Sequence, residues 1–310
     1  MAEGHRRCSG EDRISELPDE LLHVILLRLG SSRAAARTSA LSRRWRRVWA
    51  HLPELRLGTH HDPPPLPASL LDAVDGALAG YSATAPLEHL GILFFTGGPN
   101  VTASRAAPWL RFAAKHVVGE FNLRVPYQKM GKDQEELELP ACTRAKTIKL
   151  KLQDPWRLRP QLACTFAALI SLTIRDCRME AKELTAMVSK HCLCLRDLIL
   201  FIDLVEVSDV SVLSDTLHSL TFFVANTRQL EVIAGNLEKL TVDDAAKARI
   251  SSSKLAEVDA YDPRHHKFDN VGRHLRRLEV GQNSAVASFM QQFDEVDDLK
   301  LEIFVPWESP

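Results

Sequence analysis

Apolar residues near the N-terminus recur with a helical period. In the stretch "ELPDELLHVILLRLG", one stripe carries leucine or isoleucine at positions 21, 22, 25, 26 and 29. Pro18 suits the first helical turn, where its missing N–H costs nothing, and Gly30 suits the residue after the last turn. Val24 and Leu27 make most of the circumference apolar, so the pattern predicts a helix that is buried nearly all round.

Two more helices are predicted before residue 57. Ser31 or Ser32 can cap an alanine-rich second helix, and Ser42 can cap a third. The apolar face of the third helix carries Leu41, Trp45, Val48, Trp49 and Leu52. The opposite face carries Arg43, Arg44, Arg46 and Arg47. Nucleic-acid stacking needs aromatic rings exposed beside basic groups, so this separation favours packing tryptophans and a solvated basic face.

The helical module has more apolar surface than it can bury alone. So short a segment supports only a small core, and the surplus needs a partner in this chain or in another protein. We expect residues 1–11 to be disordered, residues 12–57 to form the module and residues 58–69 to form a linker. The linker sequence "GTHHDPPPLPAS" has three consecutive prolines, which favour an extended polyproline II segment and exclude helix.

The rest of the chain, assigned to residues 70–310, repeats the pattern Leu-x-x-Leu-x-Leu. Full copies begin at Leu169, Leu195, Leu217, Leu237 and Leu275, and degenerate copies begin at Leu87, Val118, Ala145, Leu255 and Val296. From Ala145 to Val296 there are 151 residues in seven steps, a mean of about 22, which is typical of leucine-rich repeats. Each copy predicts one strand that must stack on its neighbours to bury its apolar face.

The predicted fold class is α/β, or α+β over the whole chain: an N-terminal three-helix module followed by an irregular solenoid with a parallel sheet. Short helices are expected on the convex side only where a repeat is long, above all over residues 179–192. Residues 108–125 are predicted to form a helix followed by a strand. Cys177, which follows the copy beginning at Leu169, is predicted to be a buried turn residue and not a nucleophile.

Composition and charge exclude several classes of protein. The formal net charge is -1, but residues 1–56 contain 11 Arg, no Lys and 7 Asp plus Glu, so a basic head precedes a mildly acidic body. Six sparse cysteines fit reduced thiols in the nucleus or cytoplasm. The longest apolar stretch, residues 21–29, is too short to span a bilayer, and the N-terminus lacks the apolar core of a signal peptide. We therefore expect no membrane and no nucleic-acid partner.

No catalytic or metal-binding motif stands out. The phosphate-binding glycine loops, the nucleophile elbow and the zinc-protease helix motif are all missing from the sequence. His191, Cys192 and Cys194 lie close together, but no second ligand pair follows at a zinc-site spacing. We expect no cofactor, no metal site and no enzymatic activity.

The segment "DRISELPDELLHVILLRL" together with "ALSRRWRRVWAHLPEL" resembles an F-box, and residues 108–125 resemble the first-repeat segment of plant F-box/leucine-rich-repeat proteins. Gly30-Ser31 departs from the family, where many members have a proline. The resemblance implies docking on an SKP-family adaptor, which links to a cullin and a RING protein. The implied adaptor-binding residues are Leu17, Pro18, Leu21, Leu22, Ile25, Leu26, Leu41 and Trp45.

The implied function is that of a substrate-recognition subunit of an SCF-type ubiquitin ligase, with an unknown target protein held by the repeats. The alternative is a scaffold that binds proteins through its repeats and never joins a cullin. A nucleic-acid binder based on the arginine face is a third and weaker interpretation. We call the Leu-x-x-Leu-x-Leu pattern the template. The residues between the template leucines give a candidate target surface, because they point away from the core.

These outward positions form two columns across the repeats. The first column is Thr173, Ile199, Thr221, Thr241, Asp259 and Glu279, and the second is Arg175, Phe201, Phe223, Asp243, Tyr261 and Gly281. Large apolar groups are unusual on a bare solvated sheet and often mark binding surfaces. The predicted target-binding residues are Arg175, Ile199, Phe201, Phe223, Asp243 and Tyr261. The alternative is that the chain's own N-terminal part or loops cover one column.

Overall fold

The fold is known from a computed structural model. It describes residues 17–28, 44, 48, 51–58, 67–81, 86–95, 97–127, 134–163, 165–261, 265–272, 274–281, 290–293 and 295–301. Residues 1–11, most of the second and third predicted helices and most of the proline-rich linker lie outside this described part.

The described part consists mainly of strands. Its helices are α1 (Asp19–Arg28), α2 (Pro67–Ala79), α3 (Ala103–His116) and α4 (Ala181–Ala186), which runs into a π-helical turn over Met187–His191. Its strands are β1 (Glu54–Gly58), β2 (Leu87–Leu93), β3 (Val117–Arg124), β4 (Glu136–Leu139), β5 (Thr147–Lys151), β6 (Arg157–Pro160), β7 (Ser171–Met179), β8 (Asp197–Leu213), β9 (Ser219–Ile233), β10 (Lys239–Ala245), β11 (Ala248–Ser251), β12 (Glu257–Ala260), β13 (His266–Asp269), β14 (His274–Val280) and β15 (Glu295–Leu301).

The repeat pattern produces one long parallel sheet. Its strand order is β1-β2-β3-β5-β7-β8-β9-β10-β12-β14-β15, and each strand pairs in register with the next. The template residues of the inner copies point into the core and are nearly inaccessible to solvent, as at Leu172, Leu198, Leu220 and Leu240. The predicted parallel solenoid is therefore confirmed, and its core lies directly behind this sheet.

The sheet begins before the expected boundary at residue 70. Strand β1 lies at the end of the range assigned to the helical module and pairs with β2, with Leu55 opposite Leu90. Leu52, Leu55 and Leu57 are all buried, so "LPELRL" is a further copy of the template. Sequence reasoning missed this copy because Leu52 also fits the apolar face of the preceding helix. Helix α2 likewise begins at Pro67, inside the range assigned to the linker.

The convex side carries a second ladder of strands where an irregular surface was expected. Strand β4 pairs with β6, β6 meets the end of β7, and β11 joins β13 to the second half of β9. The long strands β8 and β9 belong to both faces, because their register shifts between Asp203 and Asp209. Asp176, Asn226 and Asp244 have φ values of 58°, 64° and 60° and turn the chain between the two faces.

Helices form where the repeats are long. The helix predicted over residues 179–192 is confirmed by α4 and the π-helical turn that follows it. The helix and strand predicted over residues 108–125 are also present, but α3 begins earlier, at Ala103, where Thr102 caps its N-terminus. A hydrogen bond links helices α3 and α2: the Trp109 indole N–H donates to the Asp75 carboxylate over 2.7 Å.

Strand β3 contains one extra residue opposite β2. Its register shifts between the pairs Leu87–Val117 and His89–Glu120. Val117 is buried as a result, and it takes the inward position that the sequence pattern assigned to Val118. The bulge depends on Gly119, because a β-carbon there would lie 2.2 Å from the carbonyl oxygen of Glu88.

The last described strand is the most exposed part of the sheet. Leu299 and Leu301 occupy template positions but are 41% and 39% exposed. Among the described strands, β15 pairs with β14 alone. No helix in the described part of the chain has the length and apolar character needed to cross a bilayer.

The bulge at Gly119 yields a stability prediction with an internal control. We expect Gly119→Ala to cost about 2–3 kcal/mol, because the added carbon collides with a backbone oxygen that cannot move freely. Gly76→Ala should instead stabilise the protein by about 0.5–1 kcal/mol, because Gly76 lies within α2 and nothing lies within 4 Å of the added carbon. Urea unfolding of both variants measures the difference, and equal midpoints would contradict the assigned bulge.

Candidate binding surfaces

Helix α1 presents one face to the chain and another to solvent. Leu22 is 1% exposed and packs into the core cluster together with Val48. His23 donates a hydrogen bond to the carbonyl oxygen of Val48 over 3.0 Å. Arg44 forms an ion pair with Asp19 over 2.7 Å and also donates to the carbonyl oxygen of Leu17. These contacts hold the residues at 44 and 48 against α1.

The outer face of α1 is apolar. Leu21, Val24 and Ile25 are 49%, 44% and 38% exposed. Their spacing of three and four residues places them side by side along one helix face. We call these three residues the helix strip. Exposed apolar side chains grouped in this way are typical of a surface that binds a partner.

The residues predicted to bind an adaptor fall into three groups. Leu21 and Ile25 lie in the helix strip, next to an exposed Pro18 and a half-buried Leu17. The side chain of Leu22 is buried and packs in the core of the chain. The side chain of Leu26 and the whole of Leu41 and Trp45 lie outside the described residues, as do Arg43, Arg46, Arg47 and Trp49.

Two residues of this region differ from the sequence interpretation. Val24 belongs to the helix strip, although the implied adaptor-binding set omitted it. The apolar stripe alone could not separate it from Leu22, since both lie on a helix that is apolar nearly all round. Arg44 was predicted to be solvated, but its ion pair with Asp19 and its bond to Leu17 give it a structural role.

The two outward columns of the concave sheet exist as continuous lines of side chains. In the first, Thr173, Ile199, Thr221, Thr241, Asp259 and Glu279 are paired strand by strand. In the second, Arg175, Phe201, Phe223 and Asp243 are paired in the same way. Tyr261 follows Ala260, which pairs with Val242, so its place continues the second column beyond Asp243.

The rings of the second column contact one another. Phe201 and Phe223 are stacked, with ring centroids 4.6 Å apart and an interplanar angle of 11°. The Tyr261 ring lies 5.7 Å from the Phe223 ring, and the Arg175 guanidinium lies 4.1 Å above the Phe201 ring. We call Phe201, Phe223 and Tyr261 the aromatic row. Tyr261 is 38% exposed and the two phenylalanines are half-buried, so the row faces solvent along the concave sheet.

At the end of the second column, the backbone of Gly281 lies close to the ring of Tyr261. Gly281 is buried, and a β-carbon there would lie 3.0 Å from the Tyr261 ring. The missing side chain therefore leaves room for the ring of Tyr261.

Beside the row, burial and then the negative charges of Asp243 and Asp203 raise the pKa of the Asp244 carboxyl. Two carboxylates, Asp243 and Asp244, therefore follow Phe223 at this end of the aromatic row.

The other side of the aromatic row is basic. Arg124, Lys151 and Arg175 stand directly opposite one another on β3, β5 and β7. Lys151 forms an ion pair with Asp176 over 3.0 Å, and the neighbouring Lys149 forms one with Glu120 over 2.9 Å. We call Arg124, Lys151 and Arg175 the basic row, and it runs straight into the aromatic row at Phe201.

Three of the described cysteines, Cys142, Cys177 and Cys192, are buried packing residues, and Cys194 is exposed. Burial raises the pKa of the Cys142 and Cys192 thiols to about 12. Burial, and then the charge of Asp176, raises the pKa of the Cys177 thiol further. Cys177 is 2% exposed, which confirms that it is a buried residue beside the bend at Asp176. Within the described residues, no three His, Cys, Asp or Glu side chains are grouped so that they could hold a metal ion.

Comparison with known proteins places both parts of the chain. The F-box domain matches residues 14–57. An F-box/LRR-repeat protein of Arabidopsis thaliana is 26% identical over 264 residues, which is 84% of this chain and 71% of that protein. A putative F-box/FBD/LRR-repeat protein of the same plant is 24% identical over 302 residues, covering 93% of this chain and 66% of that protein.

A shorter match covers part of a longer protein. A putative F-box/LRR-repeat protein of Arabidopsis thaliana is 28% identical over 187 residues, and the match covers 59% of this chain but 37% of that protein. No solved structure matches the chain. The F-box match includes the helix strip, and the match that covers 93% of this chain extends over the repeats. The chain therefore carries an F-box domain and is related over most of its length to the F-box/LRR-repeat proteins.

Proposed function

We propose that this protein is the substrate-recognition subunit of an SCF-type ubiquitin ligase. The observation that carries the proposal is the helix strip, three exposed apolar side chains on the first helix of an F-box. In this role the strip docks an SKP-family adaptor, together with Leu17 and Pro18, and the adaptor links the chain to a cullin and a RING protein. Such a complex acts in the nucleus, the cytoplasm or both.

In this role the chain carries out no chemistry itself. It binds a target protein and holds a target lysine near the ubiquitin-conjugating enzyme, which raises the effective concentration of the two reacting groups. Catalysis belongs to the other subunits. No cofactor or metal takes part in recognition by this chain.

The proposed adaptor contact predicts the effect of a double substitution. We expect Leu21→Ala combined with Ile25→Ala to weaken capture of a purified SKP-family adaptor about a hundredfold, because each removes roughly 1–2 kcal/mol of apolar burial from the interface. Surface plasmon resonance with the full chain provides the affinity. The matched control is Leu213→Ala combined with Ile233→Ala, which alters two similarly exposed side chains on the convex side.

Leu22→Ala separates docking from folding. Because Leu22 is buried, its truncation should lower the unfolding temperature of the F-box region, whereas the double variant at Leu21 and Ile25 should leave it nearly unchanged. Adaptor binding that survives the double substitution in a folded protein would rule out the helix strip as the docking surface.

The same role requires a surface for the target protein, and we propose the concave sheet. Ile199, Phe201, Phe223 and Tyr261 would contact the target, flanked by Arg175 and Asp243. The stacked rings support this assignment because aromatic side chains that are already ordered lose little conformational freedom on binding and are frequent among binding hot spots. Among the described residues, Tyr261 is exposed, and Phe201 and Phe223 are half-exposed.

A triple substitution tests the target surface in cells. We expect Phe201→Ala, Phe223→Ala and Tyr261→Ala together to abolish capture of proteins that accumulate on the wild-type chain under proteasome inhibition, while adaptor capture stays the same. The control combines Leu193→Ala, Leu213→Ala and Ile233→Ala, three exposed apolar residues away from the concave face. Identical sets of captured proteins from the aromatic and control variants would argue against the concave surface.

Cullin distinguishes a ligase subunit from a scaffold. A ligase subunit should co-purify with cullin as well as with the adaptor, and the Leu21 and Ile25 double variant should lose both. Recovery of the adaptor without cullin would identify the chain as a protein-binding scaffold that does not enter a ligase.

A further inference from the structure

The side chains of the second column change from aromatic to basic along the concave face. The second column continues beyond Arg175 in the other direction, through Lys151 to Arg124. The basic row and the aromatic row thus form one continuous line across adjacent strands. The Arg175 guanidinium above the Phe201 ring marks the junction of the two rows.

The basic row is unfavourable unless an anion is present. Like charges directly opposite one another on neighbouring strands repel, and here three cations stand at successive strands about 4.8 Å apart. Asp176 offsets the charge of Lys151. Among the residues that the structure describes, no carboxylate lies within ion-pair distance of Arg124 or Arg175. The row therefore keeps a net positive charge toward solvent.

Both arginines are held in a geometry that suits an anionic ligand. The Arg124 guanidinium lies 4.6 Å above the Phe95 ring, as Arg175 lies above Phe201. An aromatic ring beneath a guanidinium contacts its flat face and leaves the N–H groups at its edge available for a carboxylate or a phosphate. The two stacked arginines are therefore ordered before any ligand arrives, which lowers the entropy cost of binding.

The end of the aromatic row next to Asp243 disfavours an anion. Asp243 follows Phe223 in the column, and Asp244 is close enough to Asp243 and Asp203 for their charges to raise its pKa. An anionic ligand group is repelled there and attracted to the basic row. A ligand with one anionic and one apolar part thus binds with the anionic part over β3, β5 and β7.

We propose that the concave face recognises an extended peptide segment that carries an anionic group beside a large apolar side chain. The anionic group contacts the basic row, and the apolar side chain packs on Phe201 and Phe223. Lys151 and Phe223 are three strand spacings apart, roughly 14 Å, which corresponds to about four residues of extended peptide. This inference rests on the proposed function and specifies the chemistry of the target segment.

A peptide-binding measurement tests the inference on the full chain. The probe is a fluorescent peptide with two glutamates separated from a Leu-Trp pair by three glycine or serine residues. A phosphoserine version and a lysine version have the same length. We expect the glutamate or phosphoserine peptide to bind and the lysine peptide not to bind. The stronger of the two anionic peptides identifies the source of the negative charge.

Charge variants locate the site. We expect Arg124→Gln, Lys151→Gln and Arg175→Gln together to weaken binding of the anionic peptide about tenfold. The control, Arg228→Gln, Lys247→Gln and Arg249→Gln, removes the same charge from exposed residues outside the concave face and should change the affinity little. Equal losses in both variants, or no binding of either anionic peptide, would overturn the proposal.

Two further measurements keep the outcome clear. Binding of the peptide by the wild-type chain should weaken as the salt concentration is raised. The Debye length falls to about 10 Å at 0.1 M ionic strength, so the attraction between exposed charges is screened. Affinity that is independent of salt would also refute the inference, even if the triple variant fails to fold. Adaptor capture is measured on the same samples. A wild-type chain that captures the adaptor but binds neither anionic peptide counts against the inference and not against the proposed function.

Discussion

The structure depends on the in-register stacking of apolar side chains between adjacent parallel strands. Along the sheet, successive template positions stand opposite one another: Leu90, Phe121, Ile148, Leu172, Leu198, Leu220, Leu240, Val258 and Leu278. No single copy can bury its own apolar face, so each strand is covered by its two neighbours. Side chains alternate between the two faces of a strand, and the same register therefore aligns the outward residues into columns.

The two proposed binding surfaces result from how apolar side chains are divided between the core and the exposed faces of the chain. In the F-box, Leu22 takes the inner face of α1 and leaves the helix strip outside. In the repeats, the template residues fill the core, and Phe201 and Phe223 remain on the opposite face. In both regions the chain has more large apolar side chains than its own core accepts. The surplus is concentrated in two ordered patches, which is how soluble proteins usually present sites for partners.

Charge gives the concave patch a direction. The basic row precedes the aromatic row, and carboxylates follow it, so the face is not symmetric along the solenoid. The ion pairs Lys149–Glu120 and Lys151–Asp176 show that part of the charge is neutralised within the chain. The side chains of both pairs are partly exposed, so the pairs contribute little to stability. Their main effect is to leave the two stacked guanidiniums as the principal cationic groups of the basic row.

The sequence by itself determined the parallel solenoid and its outward columns. A six-residue template with period-two alternation specifies which side chains face the core, and repetition specifies which residues become neighbours. Its Leu17-Pro18 pair, the apolar stripe that follows and the run from Leu41 to Trp45 also carried the resemblance to an F-box. Tertiary structure alone decided the rest. Whether Leu22 or Val24 faces inward depends on Val48 and Arg44, which are distant in sequence. The bulge at Gly119, the second ladder of β8 and β9 and the stacking of arginines on rings depend on contacts between repeats, which a local pattern does not encode.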